Sequence, residues 1–197
     1  MDIRELDRRV VRMSADIVAK ATPEDLGRPT PCEGWTLGDL LAHMTVQHHG
    51  FAAAAEGDGA DPAVWRVEPL GADAVPAYLK AAERVTAAFA VEGVLERRFD
   101  LAEFGDGGMT FPAPQAIGFH FIDYLVHGWD VARALDVPFS PEPDVVEAAW
   151  PIAEAVPDGE PRLKPGAAFR PRLDAPGDAT RFDRILAMLG RSLSWSR

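Results

Sequence analysis

The chain has 197 residues, 47% of them hydrophobic and 26% charged, enough for one well-filled core and short for two. A net charge of −11 and a pI near 4.8 set the surface against phosphate backbones and anionic lipids, so neither nucleic acid nor membrane is an expected partner. No apolar run reaches the ~18 residues of a membrane span, and the charged start MDIRELDRRVVRMSADIVAK lacks a secretory apolar core, so a cytoplasmic location is expected.

Residues 3–20 read as an amphipathic helix, with Ile3, Leu6, Val10, Met13 and Ile17 at three- and four-residue steps. Pro23, Gly27, Pro29 and Pro31 break that pattern into a loop. The loop holds the single cysteine, Cys32, which excludes an intrachain disulfide and reads as a small loop hydrophobe rather than a nucleophile. Thr36 opens a second helix, with Asp39 three residues on as a carboxylate variant of the capping box. That helix carries Leu40, Leu41, Met44 and Phe51, contains His43, and runs out near Glu56 and Gly57. Residues 57–72 are loop. A third helix is predicted from Asp73 to about Val91, with Tyr78, Ala81, Ala82, Val85 and Phe89 on its buried stripe. Phe99 and Leu101 before a GDGG turn, and Met109 and Phe111 after it, predict a short β-hairpin near 97–112. A fourth helix follows over about 115–135.

Four amphipathic helices joined by long connections predict a mainly α, single-domain four-helix bundle with crossovers, its core in residues 1–136. Residues 137–197 read as a helical appendage on that core. A helix is expected near 143–155, interrupted by Pro151, and a short one near 180–190.

The chemistry concentrates on two of these helices. Asp123 and His127 stand four apart, which places both side chains on one helical face about a turn from each other. His43 supplies a third donor from another helix. Two imidazoles and one carboxylate suit a divalent cation: zinc is the default, and nickel, iron or manganese fit the same donors. Three protein ligands leave a position for water or substrate, which is the arrangement of a reactive centre. His120 shares the face of Asp123 and His127 and is the substitute ligand, whereas His48 and His49 read as solvated, with one of them lining the cavity as the alternative. His120, His48 and Tyr124 are the candidates for a catalytic acid or base. Trp35 and Trp129 flank the two ligand segments as core anchors or pocket walls. Asp39 serves as a cap or orients a ligand imidazole, as Asp130 can. Arg133 pairs with Asp130 or meets an anionic substrate.

The stretches TPCEGWTLGDLLAHM and DYLVHGWDVARAL together resemble the DinB/YfiT-like superfamily, and more closely its branch containing the mycothiol-dependent maleylpyruvate isomerase N-terminal domain. A sub-branch of mostly actinobacterial metal-binding proteins also shares a C-terminal stretch like AAFRPRLDAPGDATRFDRILAMLGR, so the resemblance covers nearly the whole chain. It implies a bundle of unusual helix order with a metal between helices, held by the histidine of the LLxH stretch and the acid-x-x-x-His pair, here His43, Asp123 and His127. It also implies a low-molecular-weight thiol cofactor of mycothiol type, transferase, isomerase or hydrolase chemistry on a small electrophile, and a homodimer as a plausible assembly. Trp35, Trp129 and Arg133 are the residues expected around such a cofactor. A thiol-independent Lewis-acid enzyme and a non-catalytic metal- or ligand-binding module remain alternatives. The sequence departs from the isomerase in having Asp123 where that enzyme has a glutamate, one methylene longer, and in lacking its separate C-terminal domain. Maleylpyruvate isomerisation itself is therefore not the expected reaction.

Overall fold

In the computed structural model, which describes residues 2–105, 107–163 and 169–196, the chain runs through six helices and one hairpin. They are α1 (Ile3–Val18), α2 (Leu37–Glu56), α3 (Ala74–Phe89), β1 (Arg98–Leu101), β2 (Met109–Pro112), α4 (Ala113–Leu135), α5 (Pro143–Ala155) and α6 (Arg181–Met188). Asp106 of the GDGG turn and the first two residues of the AAFRPRLD stretch lie outside the described residues. The predicted mainly α fold with one antiparallel hairpin is what forms.

Local chemistry sets the ends of these elements. The Thr36 hydroxyl accepts from the Asp39 backbone N–H, and the Asp39 carboxylate accepts from the Thr36 N–H at 2.9 Å, which closes a capping box at the start of α2. Asp39 is thereby a cap and not a carboxylate behind a ligand histidine. Gly57, at φ +107°, ends α2 in a left-handed conformation that a side chain would resist. In the hairpin, Phe99 and Leu101 turn inward and Arg98 and Asp100 outward, the period of two that a half-buried strand requires. The expected break at Pro151 does not occur, because α5 runs through it. Both Pro151 and Glu147, whose carbonyl loses its intrahelical donor, are exposed, so water can satisfy that carbonyl.

Named contacts give the helix directions. Asp7 of α1 meets His120 of α4, and Ser14 lies against Gly128, so these two helices run parallel. Arg84 of α3 reaches Glu56 of α2, and Ala74 faces Ala42 and His43 across a groove, so α2 and α3 also run parallel. The start of α1 lies against Thr86 and Phe89 at the end of α3, which sets the two pairs antiparallel. The bundle is therefore up-down-down-up. The 57–73 connection must return along its full length, while consecutive α1 and α2 lie on a diagonal, as do α3 and α4.

The returning connection crosses α2 at Gly50. A Cβ there would sit 2.3 Å from Cε3 of Trp65, whose indole N–H donates to the Gly59 carbonyl at 2.8 Å. Gly50→Ala is expected to cost about 1–3 kcal/mol in urea unfolding, with recovery when Trp65 is shortened to leucine in the same chain. A Gly50→Ala protein as stable as the parent would mean that the crossing has slack.

Two apolar clusters fill the bundle. One gathers Leu40, Leu41, Met44, Phe121, Leu125 and their neighbours, and the other Phe51, Val85, Phe89, Phe99 and Ile117. Between them, along both α2 and α4, lies a buried polar layer containing His48 and His120. The appendage joins the first cluster through Val145, Ala149, Ile185 and Leu186. Arg162, itself buried, ties its loops together by donating to the carbonyls of Val156, Pro157, Arg170 and Met188 at 2.6–3.1 Å.

Candidate metal centre

Because α2 and α4 are antiparallel neighbours, the first half of α2 faces the second half of α4. This brings His43 opposite Asp123 and His127. One donor atom from each of the three lies within 4.8 Å of the others, and the imidazole rings of His43 and His127 stand 5.3 Å apart, nearly perpendicular. Nε2 of His127 is 3.4 Å from the nearer Asp123 oxygen, is buried, and has no hydrogen-bond partner. An orphaned imidazole nitrogen inside a protein is costly unless something binds it, and a donor set of two imidazoles and a carboxylate fits a divalent cation.

The opposite nitrogen of His127 is held firmly. Its Nδ1 stands 2.9 Å from Asp130, and the Asp130 carboxylate accepts from Arg191 Nη2 at 2.9 Å and Nε at 3.2 Å. This chain holds a proton on Nδ1, so Nε2 is the nitrogen turned toward His43 and Asp123, the orientation that supports a histidine ligand in metal sites. Burial alone would push the Asp130 carboxyl up. Arg191 and His127 reverse that and bring it down to about 2. Burial opposes charge on His127, but Asp123 and Asp130 outweigh it and raise its pKa to about 10. His43 is lowered to about 4, first by burial and then by the neighbouring His127. The unlike shifts of two imidazoles facing one carboxylate describe a cavity that wants one positive charge. Cys32 stands behind the same cluster, its thiol 3.2 Å from Asp130 and 3.6 Å from Arg191 Nη2. Cys32, His127 and Asp130 also converge, yet the Arg191 guanidinium already supplies the cation there.

The other sequence-predicted residues are placed as follows. Trp35 stacks at a tilt on His43, with centroids 5.0 Å apart, and forms a wall of the groove that reaches that histidine. Trp129 is buried in the first apolar cluster with the Arg133 guanidinium 5.7 Å over its ring. Arg133 donates to the Trp195 carbonyl, and Asp130 is taken by Arg191 instead, so the expected Arg133–Asp130 pair does not form. His48 is fully buried, not solvated as expected, because the inward turn of α2 stacks it on Tyr124 at 3.9 Å. His120 turns toward α1. Its Nδ1 lies 2.6 Å from Asp7 and its Nε2 3.0 Å from Nδ1 of His48, so both nitrogens are occupied and it does not substitute as a ligand. The Tyr124 hydroxyl donates to the Met44 carbonyl. His49, half-buried, lies beside Arg84.

Two features went unread in the sequence. Arg191 follows the left-handed Gly190 after α6, where no periodicity marks a role. Glu103, in the turn after β1, accepts from Nε2 of Gln47 at 2.6 Å, and Gln47 is one helical turn beyond His43. Surrounding protein atoms push the Glu103 carboxyl up to about 7, with Asp123 adding to the shift and Gln47 opposing it.

Comparison with known proteins agrees with the fold. At 28% identity over 98% of this chain and the whole of each relative, the chain is similar to two uncharacterized proteins of Mycobacterium tuberculosis, from strains CDC 1551 and H37Rv. Its fold is similar to the crystal structure of the mycothiol-dependent maleylpyruvate isomerase and to that of a histidine-to-alanine mutant of the same enzyme. Each matches with TM-score 0.58 and 15% identity over 78% of this chain and 67% of that one. Residues 8–132 match the family described as the mycothiol maleylpyruvate isomerase N-terminal domain. That match takes in most of α1, α2, α3, the hairpin and most of α4, with all three metal-ligand candidates, and the chain belongs to this family.

Proposed function

We propose that this protein holds a divalent metal on His43, Asp123 and His127 and uses it with a low-molecular-weight thiol, of mycothiol type, in transfer or isomerisation of a small electrophile. The observation that carries this reading is the buried, unpartnered Nε2 of His127, backed by the Asp130–Arg191 pair and facing two further donors. Membership of a family that includes a mycothiol-dependent enzyme supports the thiol. When bound, the metal would lower the pKa of a thiol or water in its open position and polarise a carbonyl.

The chain's own groups supply the rest. Asp130 orients His127 through Nδ1. Glu103, with Gln47 donating to Oε2, keeps its other carboxylate oxygen available to accept a proton released at the site and to return it. Its raised pKa suits that exchange near neutral pH. Trp35 shields one side of His43 from water.

Elemental analysis of untagged protein should give about one metal per chain, with zinc expected as the default. His127→Ala should abolish stoichiometric binding while the helical circular dichroism is retained. Occupancy should fall as pH drops, because a proton on His127, whose pKa is raised to about 10 without metal, competes for the imidazole. Thiol-stimulated turnover of an electrophile panel, lost in His127→Ala, would establish the enzyme. Metal-free protein as active as loaded protein would overturn it.

A further inference from the structure

The groove that reaches His43 has a volume of about 640 Å³, room for a small metabolite. Leu26, Trp35, Val67, Pro69 and Leu70 form its walls, and small residues on α2 keep the floor open. The one charged group in its lining is Asp39, whose carboxylate is committed to the Thr36 N–H and hydroxyl. Among the described residues, no lysine or arginine lines it.

Neither guanidinium near the cluster lines the groove: Arg191 is bound to Asp130 and the Leu189 carbonyl, and Arg133 donates through Nη2 to the Trp195 carbonyl. The other side chains near the cluster are acidic: Asp123 faces His127 at 3.4 Å and Glu103 accepts from Gln47. A carboxylate or sulfonate lying in the groove would shed water and meet no lysine or arginine of the lining in return, in a protein of net charge −11.

We infer that the groove takes an uncharged, largely apolar molecule, such as a ring or short hydrocarbon chain bearing a carbonyl or activated alkene, and rejects dianions of the maleylpyruvate type. Its identity as the electrophile's site rests on the function proposed above, but its charge preference is a property of the groove itself.

Two fluorescent probes with one carbon skeleton test this: neutral N-phenyl-1-naphthylamine and its sulfonated counterpart 1-anilinonaphthalene-8-sulfonate. Both are titrated into full-length protein, chelator-treated and zinc-loaded. The neutral probe is expected to bind the chelator-treated chain at least about tenfold more tightly than the sulfonate. Leu70→Glu should weaken the neutral probe by a similar factor. Val67→Arg, at a position 50% exposed and so tolerant of change, should raise sulfonate affinity several-fold by placing a cation on the wall. Equal or tighter sulfonate binding to the parent overturns the inference, as does neutral-probe binding that neither substitution alters. If Leu70→Glu does not fold, Val67→Arg still decides. A protein that binds no metal or turns over no thiol substrate would end the proposed function, yet leave these chelator-treated affinities as they are.

Discussion

Arg191→Ala is expected to destabilise the protein by about 3–5 kcal/mol, the loss seen when one partner of a buried ion pair is removed. Arg191 is 4% exposed and Asp130 fully buried, and the guanidinium is the only cation among the described residues that bonds that carboxylate apart from His127. Without it Asp130 must either take up a proton inside the protein or hold an uncompensated charge. Either course also loosens His127, so under the proposed function metal affinity should fall by about 10–100-fold, the usual loss on removing a group that orients a ligand histidine. Urea unfolding of chelator-treated protein isolates the stability loss, and competition with a zinc indicator reads the affinity. Asp130→Asn added to Arg191→Ala should recover part of the stability, because a neutral amide needs no guanidinium, but should not restore the affinity. A single variant within 0.5 kcal/mol of the parent, below the usual scale for such pairs, would mean that Arg191 is not a clamp.

The second large effect is acid sensitivity from His48. Burial holds its pKa well below the ordinary value, with His120 next in effect, so it stays neutral in the folded protein where the unfolded chain would be charged. A depressed folded pKa makes the unfolded state the greater proton binder below about 6.5, so stability falls as pH falls. One such group contributes about 1.4 kcal/mol per pH unit below that point. His43, lowered to about 4, acts in the same direction. Asp7, raised by burial, acts in the opposite one, since it takes up a proton on folding. The quantity to measure is therefore a difference. His48→Asn keeps a polar atom near the position of Nδ1, where His120 bonds, but has no titrating ring. Its stability curve, in chelator, should be shallower than the parent's by about 1.4 kcal/mol per unit between pH 6 and 5. Parallel curves would show that His48 gains its proton in the folded state as readily as in the unfolded one.

The parts legible in the sequence were those that local chemistry dictates. The Thr36–Asp39 cap, the period of α1, the alternation of β1 before the GDGG turn and the four-residue spacing of Asp123 and His127 all survive in the structure, because each depends on neighbours a few residues away. What failed depends on distant partners. The place of His48 is decided by Tyr78, Tyr124 and His120, and that of His120 by Asp7, all partners on other helices. Arg133 was paired with Asp130 by spacing, but Arg191, 61 residues beyond Asp130, has the better geometry. Pro151 was read as a break because isolated propensity ignores an exposed carbonyl that water can serve.

The crossed path of the chain has a consequence during synthesis. His43 leaves the ribosome long before Asp123 and His127, and at about 5–20 residues per second the wait is roughly 4–17 s. Arg191, which bonds Asp130 behind His127, emerges later still. Until α4 has emerged, the first half of α2 presents His43 without its partners on that helix. Under the proposed function, an ion would meet all three donors together only once α4 has been made and packed against α2.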